Sequence, residues 1–219
     1  MSVKAVVFDM DGVIFDSEKA VIEVWQEVAE RHGIPNITEY CRECIGLTAV
    51  AAKQRFIERY SDRYSYDELR KEKTGMVMER FRKGEIDIKT GVHNILNTLK
   101  EHNIKIALAT STRKEPVIEE MTASNLIGYF DEIITGDMVE NSKPAPDIFL
   151  KACEAVGVAP CDAVGIEDSY NGVKSSHSAG LYTIMVPDLL QPTEEIIEIA
   201  DCVVKNLNEA LNVIMKLKS

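Results

Sequence analysis

Val6-Val7-Phe8-Asp9-Met10-Asp11-Gly12-Val13-Ile14-Phe15 is the stretch that decides the fold. Its apolar opening is too short for a helix and reads as a strand buried on both faces, the kind that parallel sheets use. Gly12 allows a sharp turn as the chain leaves the strand. Along an extended backbone, Asp9 and Asp11 point to the same side. At the carboxyl end of a strand they project into the crevice where open α/β sheets bind ligands. Two carboxylates crowded there repel each other, and a cation or a proton must balance them.

Downstream of Phe15 the pattern changes. Val21, Val24, Trp25, Val28 and Ala29 recur at helical spacing, and Arg31-His32-Gly33 ends that helix. From there to Gly84 the chain reads as helical, with no strand. Val92, Ile95, Leu96 and Leu99 form a further amphipathic helix. Strands and helices then alternate. Strands are expected at 105–110, 132–135, 163–166, 181–186 and 202–204, and helices at 115–125, 147–156, 170–179, 194–200 and 207–217. The alternation predicts an α/β fold, a doubly wound, Rossmann-like parallel sheet with right-handed crossovers. The all-helical stretch is then an insert after the first strand. Residues 1–15 and 85–219 would form the core and residues 16–84 a helical cap domain, placed to act as a lid.

Composition narrows the function. The chain has 219 residues, of which 45% are hydrophobic, enough for one large domain or a domain plus a small insert. Lysine and arginine total 25 against 36 acids, a net charge of 25 − 36 = −11. That argues against nucleic acid and anionic membrane surfaces, which require clustered positive charge. No apolar run is long enough to cross a bilayer, and the first apolar stretch is interrupted by aspartates, unlike a signal peptide. The five cysteines are scattered and odd in number, as suits reduced thiols in a cytoplasmic protein. Cys41 and Cys44 form a single Cys-x-x-Cys, read as two small hydrophobes on a helix rather than a zinc or redox site. His32 and His102 lie near helix C-termini and read as caps. Trp25 reads as core of the helical insert rather than as a substrate platform.

Four polar signals fall at strand ends. Asp9 and Asp11 follow the first strand, and Thr110 and Ser111 close the second. Lys143 lies in the loop Asn141-Ser142-Lys143-Pro144-Ala145-Pro146, and Glu167 and Asp168 follow the fourth strand. In a doubly wound sheet these edges meet at one crevice. The carboxylates suit a hard divalent cation such as Mg²⁺, leaving room for water and a phosphate oxygen. Lys143 adds a point charge, and Thr110 can donate to an anion beside free backbone N–H groups. A chain of net charge −11 thus retains the means to bind a phosphoester. Taken alone, Asp9 and Asp11 could form an Asx turn, Thr110 or Asp168-Ser169 a helix cap, and Lys143 a solvated loop residue. Asn171 and Gly172 read as turn and packing residues.

With these motifs in order, the chain resembles the haloacid dehalogenase superfamily along essentially its whole length. The resemblance rests on Asp9-Met10-Asp11-Gly12-Val13, Ala109-Thr110-Ser111, Lys143-Pro144-Ala145-Pro146-Asp147 and Gly165-Ile166-Glu167-Asp168-Ser169. The helical insert is similar to the small cap of the β-phosphoglucomutase-like branch. The resemblance implies that Asp9 is a nucleophile forming an aspartyl-phosphate, and that Asp11 acts as general acid and then general base. It implies magnesium held by Asp9, the backbone carbonyl of Asp11, Asp168 and, directly or through water, Glu167. Thr110, Ser111 and Lys143 would hold the transferring phosphoryl group.

The substrate expected is a small phosphorylated metabolite, a sugar phosphate, acted on by a monomeric enzyme. Three readings compete: a magnesium-dependent phosphatase, a phosphomutase, and a catalytically silent binding module. No catalytic position is substituted, which disfavours the silent module. The cap separates the other two. The mutase's cap histidine aligns with Val21, and its cap arginine with Ala49 after Gly46-Leu47-Thr48. A second phosphate would then lack its charge partner unless Lys53 or Arg55 replaced it. A dehalogenase would not need an acid at Asp11, and a phosphonate hydrolase would lack one. Phosphatase is the reading adopted.

Overall fold

The computed structural model describes residues 2–45, 47 and 49–218, the side chains of Ala49 and Asp62 apart. The chain divides into two compact units, Met1–Asp16 with Asp87–Ser219, and Ser17–Ile86.

The first unit is a six-stranded sheet. Its strands are β1 (Ala5–Phe8), β2 (Lys105–Ala109), β3 (Glu132–Ile134), β4 (Ala163–Glu167), β5 (Tyr182–Met185) and β6 (Cys202–Val203). All pairings are parallel, in the order β3-β2-β1-β4-β5-β6. β1 is central and fully buried, which is why its sequence lacks the polar alternation of a one-sided strand. Alternation along the strands sends Ala5 and Val7 to one face, where Ala107, Ala109 and Ala163 join them. These small side chains leave room for α7 (Asp147–Ala155), whose Ile148, Phe149, Ala152 and Cys153 fill that core. Val6, Phe8, Ile106 and Leu108 are buried on the opposite face. α5 (Val92–Glu101), α6 (Lys114–Ala123), α8 (Tyr170–Ser178), α9 (Glu194–Ile199) and α10 (Leu207–Lys218) complete the unit.

Register places the site. Phe8 pairs with Leu108 on one side and Ile166 on the other. The residues just past those pairs therefore emerge together at the carboxyl edge, on the two strands that flank β1, where the strand order reverses. Asp9 extends the ladder by donating its N–H to the Ile166 carbonyl at 2.9 Å.

The second unit is helical: α1 (Ser17–His32), α2 (Ile37–Cys44), α3 (Ala49–Tyr60) and α4 (Tyr66–Arg82). Its core is aromatic. Trp25 stacks on Phe56 and Tyr66 with centroids 6.3 Å from each, and meets Tyr40 edge-on at 6.0 Å. Phe56 lies 4.7 Å from Tyr60 and 5.2 Å from Tyr66. Trp25 is only 6% exposed, so it is core, as expected. Cys41 and Cys44 lie on α2 as free thiols. Burial, with the Cys44 thiol adding to it, pushes Cys41 up to about 12, and burial raises Cys44 as well. Neither is poised as a thiolate.

His102 caps α5 as the sequence suggests, with Nδ1 2.9 Å from the Thr98 carbonyl. His32 differs. Its Nε2 lies 2.7 Å from Glu72 on α4, so a carboxylate 40 residues away takes it rather than the end of its own helix. Gly46 and Thr48, beside the position expected for a mutase arginine, lie outside the described residues.

Candidate active site

Asp9 is 7% exposed at the end of β1. Its Oδ1 accepts from Lys143 Nζ at 2.5 Å. The same ammonium donates to Glu167 Oε1 at 2.5 Å and to the Ala109 carbonyl at 2.9 Å. All three Lys143 donors are thus used at buried oxygens. The loop that carries Lys143 is tied down around it. Ser175 Oγ donates to the Ala145 carbonyl at 2.6 Å, and the Asn141 amide donates to Asp147 at 2.9 Å. The Lys143–Pro144 peptide bond is cis.

Glu167 is fully buried. Its second oxygen accepts from the backbone N–H groups of Asp168 and Ser169 at 3.2 and 3.4 Å and from Ser169 Oγ at 3.1 Å. Ser169 also caps α8, its hydroxyl accepting from the Gly172 N–H at 3.1 Å. Gly172 lies in the first turn of that helix. A Cβ there would come within 1.9–2.0 Å of the Glu167 carboxylate. Gly12 has φ +78°, and a Cβ on it would meet Asp168 Oδ2 at 2.2 Å. The turn after Asp11 thus needs glycine both for its conformation and for the approach of Asp168.

Thr110 is 1% exposed just past β2, and its Oγ1 accepts from the Thr112 N–H at 3.1 Å. Ser111 is exposed at the same turn. Asp11 is partly exposed, and its Oδ2 accepts from Thr112 Oγ1 at 3.1 Å. The structure therefore brings Asp9, Asp11, Thr110, Lys143, Glu167 and Asp168 to one sheet edge. Two residues there carried no sequence signal as site residues: Thr112, and Gly172 as the floor beneath Glu167.

The charges do not balance. Burial lifts the Asp9 carboxyl well above the usual carboxylate range; Lys143 opposes the lift, while Glu167 and Asp11 add to it. For Lys143, burial acts to lower the ammonium, but Asp9 and Glu167 outweigh it and hold it charged, above the ordinary lysine value. Asp9, Glu167 and Asp168 each offer one carboxylate oxygen, all within 4.8 Å of one another. With all three carboxyls ionised, the one ammonium bonded to the cluster would leave two negative charges in excess. An all-oxygen donor set with that excess fits a hard divalent cation. The Asp11 carboxylate is not part of the set.

Geometry and charge define a parallel α/β protein that gathers buried acids and a lysine at the carboxyl edge of its sheet. Comparison with known proteins narrows the class. Residues 6–186 match the profile of the haloacid dehalogenase-like hydrolases. The chain is 32% identical over 219 residues to the phosphorylated carbohydrates phosphatase of Thermotoga maritima, covering 98% of this chain and 99% of that one. It is 30% identical to the β-phosphoglucomutase of Bacillus subtilis, across 84% of this chain and 83% of the relative. A solved Thermotoga maritima structure, provisionally assigned as a β-phosphoglucomutase, is similar with a TM-score of 0.82 at 32% identity, over 99% of this chain and 100% of the other. The chain belongs to the haloacid dehalogenase-like hydrolases, in their β-phosphoglucomutase-like branch. By class it is a phosphoric monoester hydrolase. Among the described residues, no helix is long and apolar enough to cross a membrane.

Proposed function

We propose that this protein is a magnesium-dependent phosphatase of a small sugar phosphate, working through an aspartyl-phosphate on Asp9. One observation carries the reading. Asp9 and Asp11 sit two residues apart yet are held by different partners, Asp9 by a buried ammonium and Asp11 by a neutral hydroxyl. Such a division separates the roles of nucleophile and proton carrier.

In this reading Lys143 orients Asp9 and offsets charge on the transferring phosphoryl group, while Thr110 and Ser111 bind its oxygens. A bound magnesium ion would draw charge from a phosphoryl oxygen and from the carboxylates of Asp9 and Asp168. Asp9 attacks phosphorus, and Asp11 gives its proton to the leaving oxygen. Asp11 then takes a proton from the water that cleaves the aspartyl-phosphate. Residues 1–15 and 85–219 would carry this chemistry, and the insert at 16–84 would set substrate choice.

The helical unit favours phosphatase over mutase. Lys53 and Arg55 were the cations that a second phosphate could use. Lys53 Nζ bonds Asp67 at 2.6 Å, and Arg55 faces Glu43 at 4.0 Å. The carbohydrate phosphatase among the relatives points to the same substrate class.

The test is a panel of sugar phosphates with Mg²⁺, reading free phosphate and isomerised sugar separately. Free phosphate is expected to dominate, and Asp9→Asn to lower turnover about 10³-fold or more. Isomerisation that outruns phosphate release on a hexose 1-phosphate would replace this reading with the mutase. Unchanged turnover in Asp9→Asn would remove the covalent step.

A further inference from the structure

Two small residues let α8 sit close against the sheet. A Cβ on Gly165 of β4 would come within 2.1 Å of Ser176 Oγ. Ser176 and Thr183 of β5, both fully buried, share a hydrogen bond of 2.8 Å between their hydroxyls. The first turn is fixed as well, where Ser169 caps the helix and donates to Glu167. α8 is therefore a firm base behind the site.

From that base one side chain reaches the loop that carries Lys143. Ser175 is fully buried, and its hydroxyl donates to the Ala145 carbonyl at 2.6 Å, across 30 residues of chain. Within the loop, the Ala145 N–H donates to the Ser142 carbonyl at 3.1 Å, and the Asn141 amide donates to Asp147. Those local bonds close the loop on itself, whereas the Ser175 bond sets where it lies against α8. The seat of Lys143 tolerates little displacement. Its ammonium meets oxygens of Asp9, Ala109 and Glu167, which belong to three different strand ends, and lies 5.2 Å from the centre of the Phe149 ring.

We infer that Ser175 is a positioning residue for Lys143: by fixing the Ala145 carbonyl two residues along, it sets where the lysine enters the site. The consequence for turnover rests on the phosphatase reading above. A single neutral hydrogen bond adds modestly to net stability. Misplacing a reacting group by about 1 Å can lower a rate about 100-fold. A positioning role therefore costs far more in rate than in stability.

The experiment compares Ser175→Ala with Ser176→Ala, which removes an equally buried hydroxyl that bonds Thr183 and not the loop. Three quantities are read: the melting temperature, amide hydrogen exchange at Ala145, and kcat on 4-nitrophenyl phosphate with Mg²⁺. Both variants are expected to melt within about 6 °C of wild type. Ser175→Ala should exchange the Ala145 amide about tenfold faster or more and lose about tenfold or more in kcat. Ser176→Ala should change each by less than about threefold. Should Ser175→Ala fail to fold, Ser175→Cys, which fills nearly the same space with a weak donor, decides by the same readings. Equal rate losses at the two positions, or a Ser175 variant with unchanged kcat, overturn the positioning role and leave the phosphatase reading intact. A wild type that hydrolyses neither this ester nor any sugar phosphate overturns the phosphatase reading, and this inference with it.

Discussion

In the α/β unit, Lys143 lies between Asp9 and Glu167 with side-chain exposures of 6%, 10% and 0%. In the helical unit, Arg80 spans Glu23 and Glu27, and Arg59 spans Glu39 and Glu43; both arginines are 21–24% exposed and their partners 43–63%. The motif is the same, one cation between two carboxylates, but the solvent differs. Exposed forks are screened by water and cost little to form. Burying three charges costs several kcal/mol per ion in desolvation, which a stable core has no reason to accept. The helical unit secures itself with aromatic rings and leaves its charge outside. The α/β unit carries its charge inward at a strand edge, where the proposed mechanism uses it.

Lys143→Met should break this contrast most severely. It leaves Asp9 and Glu167 buried without their cation, so stability should fall by about 3–5 kcal/mol and turnover should be lost. Thermal melts and a phosphate-release assay measure both effects. Adding Glu167→Gln should return part of the stability and none of the activity. A melt unchanged by Lys143→Met would show that the buried cluster imposes no electrostatic demand.

Trp25→Ala probes the other side of the comparison. Removing the ring at the centre of the aromatic core should cost about 3–5 kcal/mol, read by chemical denaturation. A loss below about 1 kcal/mol would mean that the helical unit draws its stability from its surface forks after all.

The smallest effect concerns pH. The His32 hydrogen bond, with Arg31 contributing, holds Glu72 below the usual carboxylate range against a small opposing effect of burial. A depressed carboxyl stabilises the fold above its unfolded value, about 4.3, and that contribution fades as pH falls through the lower folded value. Glu72→Gln should therefore lower stability slightly at pH 7, by less than about 1 kcal/mol. The gap from wild type should close below about pH 4 and shrink in high salt. A gap that widens on acidification would reverse the assigned sign.

The strands were legible because each is a short apolar run ended by a polar or turn-forming residue. β4 is expected at 163–166 and found at Ala163–Glu167; β5 is expected at 181–186 and found at Tyr182–Met185. The strand-end acids could be read for the same reason: a charged residue that ends a buried strand has one direction in which to point. What stayed hidden was set by packing across long separations. His32 looks like a helix cap until Glu72 is folded beside it. Gly172 looks like an ordinary packing glycine, and only the path of the Glu167 side chain shows why a methyl group would not fit. Thr112 is one hydroxyl residue among several, and its partner lies 101 residues earlier. The end of α1 was marked by Gly33, but the breaks between α2, α3 and α4 left little trace, since these helices share one charged composition with scattered aromatics.

The central place of β1 has a consequence for how this protein is made. β1 is made before the other strands of its sheet, yet its neighbours are Lys105–Ala109 and Ala163–Glu167. Until residue 105 has emerged, Ala-Val-Val-Phe has no strand on either side, and for many residues after that it has only one. An unpaired apolar strand is prone to pairing with other chains. The Asp9–Lys143 bond closes across 134 residues, so it can form only after residue 143 has been made. The apolar run of β1 therefore lacks its full set of partners until residue 163 has been made, an interval in which aggregation competes with pairing. A nascent chain stalled before residue 105 is the form of this protein most exposed to that hazard.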